Sequence, residues 1–249
     1  MTSLQSSPPA PQGTLQGLTA LVTGASSGIG RAIALGLARQ GAGLCLVGRD
    51  RGRLEGAANE AGAPALFYQV DLAEEGAIER LARDVARGPG GVDVLVLAHG
   101  LFASGTSESV PVSELDALYR TNVRAAYLLA QSFLASLAER QGQIVFVNSS
   151  VVAGARGGVG QYAASKLALK GLADSLRDEV NPRGIRVLSV YPGRTATPMQ
   201  AAIFEAEGRT WEPERLLQPE DVAQIVIAAL LLPRTAEVTE IYVRPMNKV

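Results

Sequence analysis

Apolar residues recur along the chain in two patterns that alternate from one end to the other. Thr19 to Val22, Leu44 to Val47, Ala65 to Gln69, Val94 to Ala98, Ile144 to Asn148, Ile185 to Val190 and Ile241 to Val243 are short apolar runs. Several are closed by Gly, Asn, Asp or Ser, as buried strands are. Between them, Gly30 to Arg39, Arg51 to Glu60, Glu75 to Arg87, Val112 to Ala138, Tyr162 to Val180 and Asp221 to Leu232 carry helical periodicity. The alternation predicts repeated βα units and hence an α/β fold, a doubly wound parallel sheet of about seven strands with helices on both faces. In such a fold the ligand crevice lies beyond the C-terminal ends of the strands. No composition break or long-period repeat interrupts the pattern, so residues 15–249 read as a single domain.

The first strand runs into Thr23-Gly24-Ala25-Ser26-Ser27-Gly28-Ile29-Gly30 and then directly into a helix. Glycines there permit positive φ and let backbone N–H groups approach a pyrophosphate, and the helix N-terminus presents its positive dipole end to the anion. The same glycines without a strand before and a helix after would be no more than a tight turn. Their spacing resembles the T-G-x-x-x-G-x-G loop of the short-chain dehydrogenase/reductase family. That resemblance implies a Rossmann fold and a nicotinamide dinucleotide held by Gly24, Ser26, Ser27, Gly28, Ile29 and Gly30.

The second strand ends at Gly48-Arg49-Asp50. An acidic residue at this edge would hold the ribose hydroxyl of NAD, but Gly48 stands in that position. Arg49 has the forked donors to pair with a 2'-phosphate, which favours NADP(H) over NAD(H), unless Asp50 points inward and repels the phosphate. Arg49 as a solvated loop charge is the plain alternative. After the third strand, Asp71 and its neighbour Leu72 resemble the family's adenine-binding position; Asp71 is equally suited to cap the next helix. The fourth strand ends Leu97-Ala98-His99-Gly100, where the family pattern is Asn-Asn-Ala-Gly and only Gly100 matches. His99, the single histidine, replaces a family alanine, so it reads as a packing residue near the cofactor rather than a proton-transfer group. It lacks the partners a metal site needs.

Tyr162-Ala163-Ala164-Ser165-Lys166 opens the fifth long helix. A spacing of four puts Tyr162 and Lys166 on one helix face, where the ammonium is expected to lower the pKa of the phenol. Tyr162 then acts as general acid/base toward a carbonyl or alcohol oxygen. The resemblance assigns Lys166 a contact to the nicotinamide ribose. It also selects Ser149, thirteen residues before the tyrosine, as the hydroxyl that fixes the substrate oxygen, with Ser150 the neighbouring alternative. Asn122 matches the family asparagine that bends its helix and holds a water linked to the lysine; the plain alternative is an asparagine bonding backbone. Pro192, Gly193, Thr195 and Thr197 resemble the segment that closes over the nicotinamide. Met199, Ile203, Phe204 and Trp211 then fall at the family's substrate lid, while Leu101, Phe102, Val151, Val152 and Tyr191 are candidates for the pocket wall.

A near-balanced charge of 23 basic against 24 acidic side chains offers no field for nucleic acid or an anionic membrane, which leaves a small molecule as the expected partner. The lone cysteine, Cys45, lies in an apolar run and reads as inert. Residues 1–14 lack the basic and apolar character of a targeting segment and read as a disordered tail, and no apolar stretch is long enough to span a bilayer. The expected location is therefore cytoplasmic. Small and apolar faces on the two longest helices point to a homodimer or homotetramer. The chain departs from the Thr-Gly and Asp-Gly-Gly ending of many fatty-acid and sugar-alcohol members, which by resemblance argues against a ketoacyl-carrier reductase and toward hydroxy-acid or miscellaneous carbonyl substrates. The function expected is NADP(H)-dependent carbonyl reduction or its reverse, by a short-chain dehydrogenase/reductase with no metal. A non-catalytic NADP-binding regulator and an NAD-dependent alcohol dehydrogenase are the alternatives.

Overall fold

The computed structural model describes residues 14–247. Of the expected tail, only Thr14 falls within that range. Seven strands form one sheet: β1 (Thr19–Thr23), β2 (Gly43–Gly48), β3 (Ala65–Gln69), β4 (Val94–Leu97), β5 (Gln143–Val147), β6 (Arg186–Pro192) and β7 (Glu240–Val243). Their order is β3-β2-β1-β4-β5-β6-β7, and every pairing is parallel. The direction of the strand order reverses at β1, which opens a crevice between β1 and β4, the switch point of a doubly wound sheet.

Eight α-helices cover the sheet: α1 (Gly28–Arg39), α2 (Arg51–Ala61), α3 (Ala77–Arg87), α4 (Val112–Tyr119), α5 (Ala125–Glu139), α6 (Gly160–Val180), α7 (Pro198–Ala206) and α8 (Pro219–Leu230). Alternate side chains of each strand point to opposite faces. Ala20 and Val22 of β1 therefore pack with Ile33 and Leu37 of α1 and Val226 of α8. Leu21 packs on the other face with Leu81 of α3, Leu129 of α5 and Leu169 of α6. Each such leucine or isoleucine, fully withdrawn from water, contributes about 2 kcal/mol. The two cores clamp the sheet and fix its C-terminal edge as a rigid platform.

Three features differ from the periodicity reading. The stretch Val112 to Ala138 is not one uniform helix, because α4 and α5 are joined by a π-helical turn at Arg120–Arg124. The Asn122 amide within that turn is committed to the Leu101 backbone instead of solvent, a tertiary bond that favours the wider turn. The segment after Thr197, expected as a connecting lid, contains α7. Thr197 accepts from the Gln200 amide as its N-cap, and Pro198 occupies the first turn, both strong helix-start features. Helix α6 also begins two residues before Tyr162. Among the described residues, no helix is long and apolar enough to cross a membrane, and no group of three His, Cys, Asp or Glu side chains is placed to hold a metal ion.

Candidate active site

A cleft of about 670 Å³ runs along the C-terminal edge of the sheet. At its centre the glycine loop turns sharply from β1 into α1. Gly24 and Gly28 hold φ of 65° and 55°, in the left-handed region that disfavours side chains. A Cβ on Gly30 would lie 2.5 Å from the Gly24 carbonyl oxygen, and one on Gly24 would lie 2.7 Å from that of Ala98. The loop is thus pressed against the backbone with no room for side chains. Ser27 is extended at the start of α1 and its hydroxyl caps nothing, leaving the first-turn N–H groups free to meet an anion. Ser26 and Ile29 complete this stretch of the wall, and the arrangement fits a dinucleotide pyrophosphate.

At the β2 end, Gly48 and Arg49 face the cleft. Asp50 does not point inward: it caps α2 through a 3.0 Å bond from the Arg53 amide and pairs with the Arg53 side chain at 3.3 Å. Arg49 is exposed and makes no ion pair among the described residues. Asp71 accepts from the Ala73 amide at 2.9 Å, closing a local turn; the N-cap of α3 is Gly76. Asp71 therefore does not cap that helix, and it lines the cleft beside Leu72.

The other end carries Ser149, just beyond β5, with Tyr162 in the first turn of α6 and Lys166 one turn on. All three line the cleft, as do Ser150, Gly100, Pro192, Gly193, Thr195 and Thr197. The Ser149 hydroxyl accepts from the Val151 amide at 3.3 Å. Lys166 Nζ donates to the Val147 carbonyl at 3.3 Å and lies 5.9 Å from the Tyr162 ring centroid. Phe102 packs edge-on against Tyr162 at 5.0 Å.

The expected lowering of the phenol pKa is reversed. Burial raises the Tyr162 pKa above its ordinary value, and the neighbouring Ser149 hydroxyl only partly opposes the rise. The same burial lowers Lys166 to about 8, so the cation that was to stabilise a phenolate is itself disfavoured.

Asn122 is buried and does not line the cleft. Its Oδ1 accepts from the Leu101 amide at 2.7 Å, while Nδ2 donates to the Leu101 carbonyl at 2.9 Å and to Ser165 Oγ at 3.0 Å. The side chain is thus spent on fixing the loop after β4 against α6. Its carboxamide bonds backbone, as the plain alternative held, though on a distant loop.

Of the candidate wall residues, Leu101, Phe102, Val151, Met199 and Ile203 line the cleft; Val152, Tyr191, Phe204 and Trp211 do not. Tyr191 stacks on Tyr242 with centroids 4.4 Å apart, and Phe204 packs beneath the lid against Trp211. Asn148, Arg156, Arg194, Gln200 and Glu207 line the cleft without any sequence expectation. The position of Asn148 next to Ser149 and the three- and four-residue spacing of Gln200, Ile203 and Glu207 are the only signals that would have found them.

This arrangement defines a doubly wound dinucleotide-type cleft carrying a serine, a tyrosine and a lysine at one end. The short chain dehydrogenase family model matches residues 18–208. Glycine betaine reductase ATRR of Emericella nidulans is 32% identical over 96% of this chain, which spans only 20% of that protein. An uncharacterised short-chain type dehydrogenase/reductase of Sinorhizobium fredii is 34% identical over 92% of each chain. Among solved structures, an alcohol dehydrogenase from Thermococcus sibiricus complexed with 5-hydroxy-NADP superposes with a TM-score of 0.85 at 28% identity, covering 93% of this chain and 98% of its own. L-sorbose reductase from Gluconobacter frateurii, complexed with NADPH and L-sorbose, gives 0.83 at 26% identity over 94% and 97% of the two chains. The protein belongs to the short-chain dehydrogenase/reductase family of oxidoreductases.

Proposed function

We propose that the protein is an NADP(H)-dependent oxidoreductase that interconverts a carbonyl and a secondary alcohol, with Tyr162 as general acid/base. The observation that carries this reading is the convergence of Ser149, Tyr162 and Lys166 on one end of a cleft whose centre is the glycine loop. A bound nicotinamide supplies or accepts the hydride. The Ser149 hydroxyl holds the substrate oxygen beside the phenol, where it stabilises developing charge. Tyr162 gives its proton to that oxygen in reduction and removes one in oxidation. Lys166 keeps a cation beside the phenol and contacts the ribose, and Asn122 acts as a positioning residue behind the wall. Gly24, Ser26, Ser27, Gly28, Ile29 and Gly30 hold the pyrophosphate; Asp71 and Leu72 line the adenosine half, and Gly100, beside Lys166, with Pro192, Gly193, Thr195 and Thr197 the nicotinamide half.

Preference for NADP over NAD is supported by an exposed Arg49 that makes no ion pair among the described residues and by an Asp50 turned to cap α2. The NADP and NADPH complexes among the similar structures point the same way. A non-catalytic NADP-binding regulator would need the glycine loop but not the serine, tyrosine and lysine together. One sheet drawing strands from Thr19 to Val243 supports a single domain for residues 15–249. Exposed Tyr119, Tyr127 and Leu167 on α4 to α6 support a homo-oligomer, to be read by light scattering. The functional test is titration with NADPH and NADH by fluorescence, followed by cofactor absorbance with a panel of ketones, aldehydes, diketones and hydroxy acids. Tight NADPH binding with substrate-dependent oxidation is expected; failure to bind either cofactor overturns the reading.

A further inference from the structure

The order of strand edges separates the two arginines that face the cleft after a strand. Arg49 follows β2 and Arg194 follows β6, four strand spacings away, which is roughly 19 Å. The glycine loop after β1 is three spacings, or roughly 14 Å, from the same edge. The strand beside β6 is β5, whose edge carries Ser149. Arg194 therefore leaves the sheet beside the edge that carries Ser149 and far from the adenosine edge, while Thr197, three residues on, reaches back to the glycine loop at Gly28.

Its guanidinium is held in place from two sides. Nη2 donates to both carboxylate oxygens of Glu207, at 3.2 and 3.1 Å. The plane lies over the Phe204 ring at 5.0 Å. Arg209 shares the same carboxylate at 3.2 Å and the same ring at 4.5 Å. One carboxylate thus serves two guanidinium groups, leaving a local surplus of one positive charge. Arg194 Nη1 is buried and has no acceptor, although Arg194 and Glu207 both line the cleft. A buried cationic donor without a partner is costly. A fork so constrained loses little entropy when an anionic oxygen arrives.

We propose that Arg194 is a substrate-specificity residue whose Nη1 takes the carboxylate of an oxo-acid or hydroxy-acid substrate, with the reacting carbon held at Tyr162. The proposal rests on the hydride-transfer reading and names its substrate class. A single surplus charge matches a carboxylate better than a phosphate, which carries nearly two charges at neutral pH. Glu207 is the counterweight: it orients the fork and makes the site unfavourable for a second anion.

The test compares 2-oxobutanoate, acetoacetate, 4-oxopentanoate and 5-oxohexanoate, each against its methyl ester, with the full chain and saturating NADPH. Binding is read from cofactor fluorescence and turnover from absorbance. At least one oxo acid is expected to bind roughly 10- to 100-fold more tightly than its ester, the range for a charge-assisted hydrogen bond. Arg194→Met should erase that preference, and Arg194→Lys should retain part of it. Both variants should keep NADPH affinity and the wild-type circular dichroism spectrum, which shows that they fold. The proposal is overturned if no acid is preferred, if Arg194→Met keeps the preference, or if the variant loses NADPH affinity, since Arg194 would then serve the cofactor. Carboxylate binding that depends on Arg194 without any oxidation would instead sink the hydride-transfer reading and leave the anion site standing.

Discussion

His99 is expected to destabilise the protein in acid, over a window set by its lowered pKa. Its Nδ1 lies 2.7 Å from Thr23 Oγ1, while its Nε2 is buried without a hydrogen-bond partner. Burial first, and the Lys166 ammonium second, lower its pKa from 6.5 to about 4, with only the Thr121 backbone opposing. Between those values the unfolded chain holds a proton that the folded one refuses, so stability is full above pH 6.5 and is lost as pH falls toward 4. At about 1.4 kcal/mol per unit, the loss reaches about 2 kcal/mol at pH 5 and about 3 kcal/mol once both states are protonated. Urea denaturation of the wild type and His99→Gln at matched pH isolates the effect, because the carboxylates titrate alike in both proteins. The stability difference should move by about 2 kcal/mol against the wild type between pH 7.5 and pH 5. As the chain has one histidine, NMR titration of its imidazole gives a direct second reading. Parallel stability curves, or an imidazole titrating near 6.5, would refute the burial argument.

Three further outcomes test the cleft. Tyr162→Phe should bind NADPH as the wild type does but lose about 10²-fold or more in turnover, the usual scale of acid/base assistance; undiminished steady-state rates would sink its assigned role. Gly30→Ala places a Cβ 2.5 Å from the Gly24 carbonyl oxygen, which has no flexible side chain to yield. NADPH affinity should fall at least about 10-fold by fluorescence titration, at the scale of losing one charge-assisted bond from the displaced loop. Arg49→Ala should reduce the NADPH-over-NADH affinity ratio by roughly 10- to 100-fold while leaving NADH binding unchanged; an unaltered ratio would return Arg49 to a solvated loop charge.

What was legible in the sequence is what acts locally. The glycine loop, the strand-ending serines and the tyrosine–lysine spacing are written in a few contiguous residues whose backbone demands are the same in any surroundings. The π turn was foreshadowed only as a bend at Asn122, because its width depends on a bond to Leu101 on another loop. Helix α7 carried its own start signals at Thr197 and Pro198, but its nine residues are too few to display a sustained helical period. The pairing of Arg194 with Glu207 was not legible: thirteen residues apart, they are joined only once α7 folds back over the cleft. Asp50 required the geometry too, since a residue at a strand edge can point inward or cap a helix with equal ease.

The sign of the Tyr162 shift shows most clearly why a motif is not yet a mechanism. Spacing places an ammonium near a phenol, and Coulomb attraction alone then predicts a stabilised phenolate. Enclosure penalises both ions together, however, raising the phenol and lowering Lys166 to about 8. With the ammonium donating to the Val147 carbonyl, no direct lysine–phenol bond offsets that penalty. Burial thus favours the neutral phenol, the form that can give a proton to a carbonyl oxygen. Reduction by the proposed chemistry starts from this state without prior ionisation. Oxidation requires the phenolate, and the hydroxyl of Ser149 is the one neighbour in the cleft wall that already favours it. Burial, which the four-residue motif does not encode, thus opposes the phenolate that oxidation requires.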